Sequence, residues 1–292
     1  IAKFPAYGRL AHLDLAGLKP GARVAQDEYG KENAADFALW KSWNPEDGDV
    51  AWDSPWGRGR PGWHIECSAM SMRYLGASFD LHTGGVDNIF PHHEDEIAQS
   101  EAATGAVFAR YWMHCAHLVV DGRKMSKSLG NFYTLRDIVA RGYSGREVRY
   151  VLCSAHYRQS LNFTFDALHA ARASLARIDE FRARLSERAF GTGIRGTAPD
   201  WAMTGKAAVE RALGDDLNLP EALAALFEMI REGNRALDEN ALAADSAQAV
   251  QAILDDLDRV FAFLAPDGAR AGDDVQARVA QRQAARQAKN WA

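Results

Sequence analysis

Cys67, His92 and Glu96 are the residues of this sequence best suited to hold a metal ion. A thiolate, an imidazole and a carboxylate form a donor set that tetrahedral zinc accepts. His92 and Glu96 are four apart, so a helix beginning near Pro91 places both on one face. By residue type alone the reading stays open: Cys67 serves equally as a buried thiol, and His92-His93-Glu94-Asp95-Glu96 as a polar helix start. A second chemical signal is Gly122-Arg123-Lys124-Met125-Ser126-Lys127-Ser128-Leu129-Gly130-Asn131, where two lysines three apart stand among hydroxyls and glycines. Lysine ammonium groups are mobile point charges suited to triphosphate oxygens, and glycines let a loop close over a ligand and reopen. Taken by itself, the segment is also readable as a solvated basic turn.

These residues need elements to position them. Phe79-Asp80-Leu81-His82 and His117-Leu118-Val119-Val120 read as short strands, each leading into a glycine-containing turn. Glu94 to Ala103 reads as a helix entered from the Pro91-His92-His93 corner. Polar groups at both strand ends match the place where α/β sheets bind ligands. Further along, Leu168, Ala171, Leu175, Ile178, Phe181 and Leu185 recur at helical spacing and leave Arg172, Arg177, Arg182, Arg184 and Arg188 mostly off the apolar stripe. Gly191, Gly193, Gly196 and Pro199 break that pattern as a linker. Asn218-Leu219-Pro220-Glu221 resembles a capping box, followed on one face by Leu223, Leu226, Phe227, Ile230 and Leu237. Val250, Ile253, Leu254, Leu257, Val260, Phe261 and Leu264 form another face that Pro266 and Gly268 should stop, and residues 276–288 read as an exposed helical tail.

The pattern predicts an α/β unit followed by an all-α helical bundle. A chain of 292 residues with 47% hydrophobic content is long enough for two such cores. A formal net charge of −5 excludes a globally basic nucleic-acid binder, so any RNA contact must come from local patches. Cys67, Cys115 and Cys153 are odd in number and scattered, which argues against a disulfide framework and for the cytoplasm. No apolar run approaches the roughly 20 residues that span a bilayer, and the start at Ile1-Ala2-Lys3-Phe4-Pro5 has no signal pattern.

Two longer strings add a family resemblance. Ser54-Pro55-Trp56-Gly57-Arg58-Gly59-Arg60-Pro61-Gly62-Trp63-His64-Ile65-Glu66-Cys67-Ser68-Ala69-Met70 and the run from His82 through Gly84-Gly85-Val86-Asp87 and Pro91-His92-His93-Glu94-Asp95-Glu96 to Ala102 resemble cysteinyl-tRNA synthetases. So do Tyr7-Gly8-Arg9-Leu10, Gly21-Ala22-Arg23-Val24, Asp36 to Lys41, Tyr111 to His114, Asn131 to Asp137, Ser154 to Arg158 and Asp215 to Leu223. The lysine loop is similar to the KMSKS signature of class I aminoacyl-tRNA synthetases.

The resemblance implies part of a Rossmann-type catalytic domain over 1–165, a connecting helix and linker over 166–198, a helical tRNA-binding bundle over 199–265 and a tail over 266–292. It implies ATP-dependent activation of L-cysteine, with Mg2+, and transfer to the 3' end of tRNA(Cys) by a monomer without membrane contact. Cys67, His92 and Glu96 then take three of four zinc (Zn2+) ligand places, and Lys127 with its helper Lys124 stabilises the pyrophosphate leaving group. Trp63 and His64 fall to the substrate pocket, and His82, Gly84, Gly85 and Asp87 to the adenylate. Arginines of the 168–188 helix fall to the tRNA, although charges on a helix are more often merely solvated. A ligase joining cysteine to an amino-sugar inositol, and a non-catalytic RNA-binding fragment, are the alternatives. No cysteine precedes Cys67 and no His-x-Gly-His motif occurs. The expectation is therefore a sequence truncated at both ends, whose isolated chain binds zinc weakly or not at all and forms no adenylate.

Overall fold

The structure, a computed structural model, describes residues 1, 4–13, 36–190, 196–266 and 281–282. It divides into two compact units, Ile1–His117 and Leu118–Ala292.

In the first unit, β1 (Trp40–Ser42) pairs antiparallel with β2 (Gly59–Pro61). Gly62 follows, where an added Cβ would lie 2.0 Å from the Ala38 carbonyl oxygen. Only glycine permits that approach, which lays the segment before β1 across the start of α1 (Trp63–Leu75). The parallel strands β3 (Phe79–Gly85) and β4 (Ala109–Cys115) are joined through a 3-10 turn at Val86–Asn88, a π turn at Ile89–His93 and α2 (Glu94–Thr104). Parallel strands require such a crossover, and this one delivers α2 beside the carboxyl end of β3. The interior is unusual in composition. Beside Ile97, Ala98, Phe108 and Ala109 it buries Ser68, His92, His93, Glu94, Asp95, Glu96 and Ser100. Charged side chains are almost never fully buried without partners, so this concentration marks a site rather than a packing core.

In the second unit, β5 (Leu118–Val120) lies between β6 (Arg123–Lys124), antiparallel, and β7 (Leu161–Phe163), parallel. The crossover holds α3 (Leu135–Ala140) and α4 (Gly145–Cys153), each opened by a reciprocal cap: Thr134 with Asp137, and Ser144 with Glu147. Four longer helices follow: α5 (Phe165–Ala189), α6 (Asp200–Gly214), α7 (Leu219–Asp238) and α8 (Ala244–Phe261). All six apolar positions expected on α5 are buried. Leu168 and Ala171 pack with Val120, Ile138, Val151 and Phe163, while Leu175, Ile178, Phe181 and Leu185 pack into the cluster formed with α6, α7 and α8. In contrast with the first unit, Glu147 and Asp258 are its only buried charged groups among the described residues.

Several expectations need correction. The strand expected from His117 begins at Leu118, and the one expected to end at His82 runs on to Gly85. The helix expected to run until Pro266 stops at Phe261, because Ala262 takes a left-handed φ of 57° and the Asp258 carboxylate accepts from the amides of Leu264 and Ala265. Val260, placed on the apolar face, is 51% exposed. Apart from these corrections, the α5 arginines make contacts within their own unit that do not bear on their assignment to tRNA: Arg172 with Glu147, Arg182 with Asp255, Arg184 with Asn234 and Asp238, Arg188 with the Leu242 carbonyl, and Arg177 over the Phe227 ring. The strings at Gly21–Val24, Gly191 and Gly193 and the tail at 276–288, apart from 281–282, lie outside the described residues.

Candidate active site

The first turn of α2 carries three successive carboxylates, all buried. The helix dipole favours negative charge there, and each group has its own donors. Glu94 accepts from the backbone amides of Gly8 (2.9 Å) and Ala11 (2.7 Å). Asp95 accepts from the Tyr7 hydroxyl (2.5 Å) and lies 3.2 Å from His64 Nε2. Glu96 Oε2 accepts from His82 Nε2 at 2.8 Å. Its other oxygen, Oε1, is buried and accepts no hydrogen bond.

That orphaned oxygen faces the group anticipated from sequence. One ligand atom each from Cys67, His92 and Glu96 lies within 4.8 Å of the others. An unsatisfied buried carboxylate oxygen costs about 1–3 kcal/mol, and a cation shared with a thiolate and an imidazole would remove that cost. Donor chemistry and geometry therefore fit zinc. Burial pushes the Cys67 thiol above its usual range, with the Glu96 and Glu66 carboxylates adding to it. Burial pulls His92 down against the opposing influence of Glu96. His93 is lowered to about 3, by burial first and then by His82, His114 and His92. Both imidazoles are thus neutral, the form that ligates metals. His82, His93 and Glu96 form a second such grouping. It shares Glu96 and belongs to the same site.

The remaining candidates distribute over both units. Trp63, 56% exposed, stacks on His92 with ring centroids 4.2 Å apart. Gly84 and Gly85 end β3, and Asp87 sits exposed in the turn beyond, at the carboxyl end of a parallel strand. An added Cβ at Gly84 would meet His93 Cε1 at 2.5 Å, so the glycine is what admits that ring. Lys124 and Lys127, in the second unit, are both exposed. Asn131 braces their loop, accepting from the Ser126 amide (2.9 Å) and donating to the Lys124 carbonyl (3.1 Å). Gly122 and Gly130 bracket it with φ of 71° and 66°, a conformation that glycine adopts without strain.

Sequence reasoning missed Tyr7, Asp95, Gln99 and Asn131 as contributors. Gln99 Nε2 donates to the His64 carbonyl and to Ser68 Oγ, tying the first turn of α1 to α2. Only Asn131 had a local signal, standing at the end of the lysine loop. The others act between positions at least 31 apart in sequence.

A parallel strand pair beside a helix start that buries histidines and carboxylates, then a lysine loop and a helical bundle, is the order of parts that two family models of class I tRNA synthetases match. The family model for the class I (C) tRNA synthetase catalytic domain matches residues 1–173, and that for the DALR domain matches residues 208–265. The chain belongs to this class I (C) family. It is 47% identical to the cysteine–tRNA ligase of Chlamydia trachomatis serovar D over 100% of the chain and 64% of that protein. For the cysteine–tRNA ligase of Solibacter usitatus the identity is 47%, over 100% of the chain and 63% of that protein. The chain thus spans somewhat less than two thirds of the length of the curated relatives it matches. Its fold is also similar to the LeuRS of a ternary complex with tRNA and LeuAMS from Agrobacterium radiobacter, with a TM-score of 0.60, 15% identity, and coverage of 75% of this chain and 33% of that one. No described helix is long and apolar enough to cross a membrane.

Proposed function

We propose that this chain is the zinc-holding and phosphate-loop portion of a cysteine–tRNA ligase, which activates L-cysteine with ATP and transfers it to the 3' end of tRNA(Cys). The carrying observation is the Cys67, His92 and Glu96 group, in which Glu96 has a buried oxygen without a hydrogen bond. Zinc, if held there by Cys67, His92 and Glu96, would supply a position that takes a cysteine thiolate in preference to a serine hydroxyl, a soft donor over a hard one. Trp63, stacked on His92, walls one side of that position. Gly84 and Gly85 let the adenosine approach the backbone, and Asp87 accepts from a ribose hydroxyl. In activation the cysteine carboxylate attacks the α-phosphorus of ATP and pyrophosphate leaves. Lys127, helped by Lys124 and by Mg2+ on the phosphates, stabilises that leaving charge. The tRNA hydroxyl then displaces AMP. The residues over 1–165 serve catalysis, and those over 199–265 hold the tRNA. No observation favours the amino-sugar acceptor or a non-catalytic RNA module.

The test is spectroscopic. Cobalt(II) replaces zinc in such sites and shows a thiolate charge-transfer band for each sulfur bound. The cobalt-loaded chain should gain intensity with L-cysteine and not with L-serine, and Cys67→Ala should lose the protein's own band. Identical spectra with the two amino acids would overturn the reading.

A further inference from the structure

Buried Tyr7 and Asp95 and half-buried His64 form a continuous chain behind His92 that leads away from the Cys67, His92 and Glu96 group. Tyr7 donates to Asp95 Oδ1 at 2.5 Å, His64 Nε2 lies 3.2 Å from Asp95 Oδ2, and His64 Nδ1 lies 2.8 Å from His92 Nδ1. With His64 neutral, each proton in this chain can be placed by elimination. A carboxylate has no proton to give, so the one between His64 and Asp95 resides on His64 Nε2. A neutral imidazole carries a single N–H, so His64 Nδ1 is then an acceptor. Two ring nitrogens at 2.8 Å need a proton between them, and only His92 Nδ1 remains to carry it. His92 Nε2 is left with a bare lone pair, on the side where Glu96 Oε1 stands 3.9 Å away.

We infer that Tyr7, Asp95 and His64 form a positioning relay that fixes His92 in its Nδ1–H tautomer, so that Nε2 is presented to the metal. This rests on the zinc reading above, which it deepens by assigning residues outside the ligand set. The relay also holds the ring plane. Trp63 stacks on one face of His92, and the contact to His64 fixes its rotation about the axis of the side chain. Partners of this kind, behind a metal-bound imidazole, change metal affinity by about 10–100-fold when removed. None of the three relay residues belongs to the group that faces the metal. Phe37 and Trp63 surround the His64 ring with aromatic contacts at 5.6 and 5.2 Å, so phenylalanine fits there without the two nitrogens.

Two measurements on the whole chain separate this inference from the zinc reading. In the metal-free protein with 15N-labelled histidines, long-range 1H–15N correlation reports the tautomer of each ring. His92 is expected as the Nδ1–H form in the wild type and is expected to revert to the Nε2–H form in His64→Phe. The dissociation constant for zinc, measured by chelator competition, is expected to rise 10–100-fold in His64→Phe and by less in His64→Gln, which keeps both an acceptor and a donor. Asp95→Asn should fall between them. An Nε2–H tautomer of His92 in the wild type overturns the relay, as does equal zinc affinity in wild type and His64→Phe. A His92 held as Nδ1–H in a chain that takes up no zinc supports the relay and overturns the metal reading instead.

Discussion

Glu94, Asp95 and Glu96 are as inaccessible as the leucines of the helical bundle, and each is accommodated by different donors. Charge at a residue thus has to be judged by its partners, and Asp216 shows this at the opposite extreme of exposure. It stands in the turn between α6 and α7, where Asp216 and Leu217 both adopt a left-handed φ of 53°. Its carboxylate accepts from Arg158 Nε and from the Tyr157 hydroxyl, both at 2.5 Å. Those bonds hold its pKa at about 2, with Arg158 the larger cause. A depressed carboxylate pKa contributes stability that is complete above its unfolded value of about 3.9 and is lost as pH falls through the folded value. Between about pH 4 and pH 2, the thermal midpoint of the wild type should therefore fall more steeply than that of Asp216→Asn. Asparagine tolerates the left-handed backbone, so the comparison isolates the charge. Parallel slopes would remove Asp216 from the acid response. In the lysine loop, Lys127→Ala should lower kcat for cysteine-dependent pyrophosphate exchange by on the order of 100-fold in the intact ligase, with a smaller effect on KM for cysteine. A change confined to KM would show that Lys127 acts in binding alone.

Among the elements, α5 organises the second unit by taking part in two apolar clusters along its length. Its partner α7 crosses close enough that Gly233 leaves no room for a methyl group: a Cβ there would lie 2.5 Å from Phe181 Cζ and 2.9 Å from Trp201 Cη2. In an isolated helix Gly→Ala gains about 1 kcal/mol. Here overpacking against two aromatic rings outweighs that gain, and Gly233→Ala should destabilise by about 1–3 kcal/mol in urea titration. Gly145→Ala is the control, since nothing lies within 4 Å of its added Cβ, and should be near neutral. The α5 stripe was legible in the sequence because all its apolar positions face one core, which imposes a strict helical period. The end of α8 was not, because a side chain six residues back, Asp258, caps it well before the proline. Helix α1 escaped reading for a different reason: Ser68 is its only buried residue, so no apolar stripe marks it. Cys67, His92 and Glu96 were visible as donor types, whereas Tyr7 and Asp95 were not, since their bond joins positions 88 apart.

Across the whole molecule the two units differ in what holds their interiors. The second packs aromatic and aliphatic side chains from α5 to α8, while the first buries histidines and carboxylates around a position that a cation would complete. Apolar burial resists opening without a ligand, but a polar interior with an orphaned carboxylate oxygen does not gain its full stability until that oxygen is paired. Zinc should therefore stabilise the two units unequally. A ligand that binds only the folded form contributes RT ln(1 + [L]/Kd), about 2.7 kcal/mol at a hundred times Kd, which is about a 100-fold slowing of amide exchange through any opening that breaks the site. Cys67 lies on α1, and His92 and Glu96 lie at the start of α2. Hydrogen exchange followed by mass spectrometry should show that slowing in peptides from residues 63–75 and 89–104. Peptides from α7 and α8 should exchange as before, because every metal-ligating group found among the described residues lies in the first unit. The same experiment on Cys67→Ala should show no zinc response in either set. Slowing that appears in α7 and α8 as strongly as in α2 would instead mean that the metal acts on the molecule as one cooperative body, and the distinction between a polar, ligand-completed unit and a self-sufficient apolar one would fall.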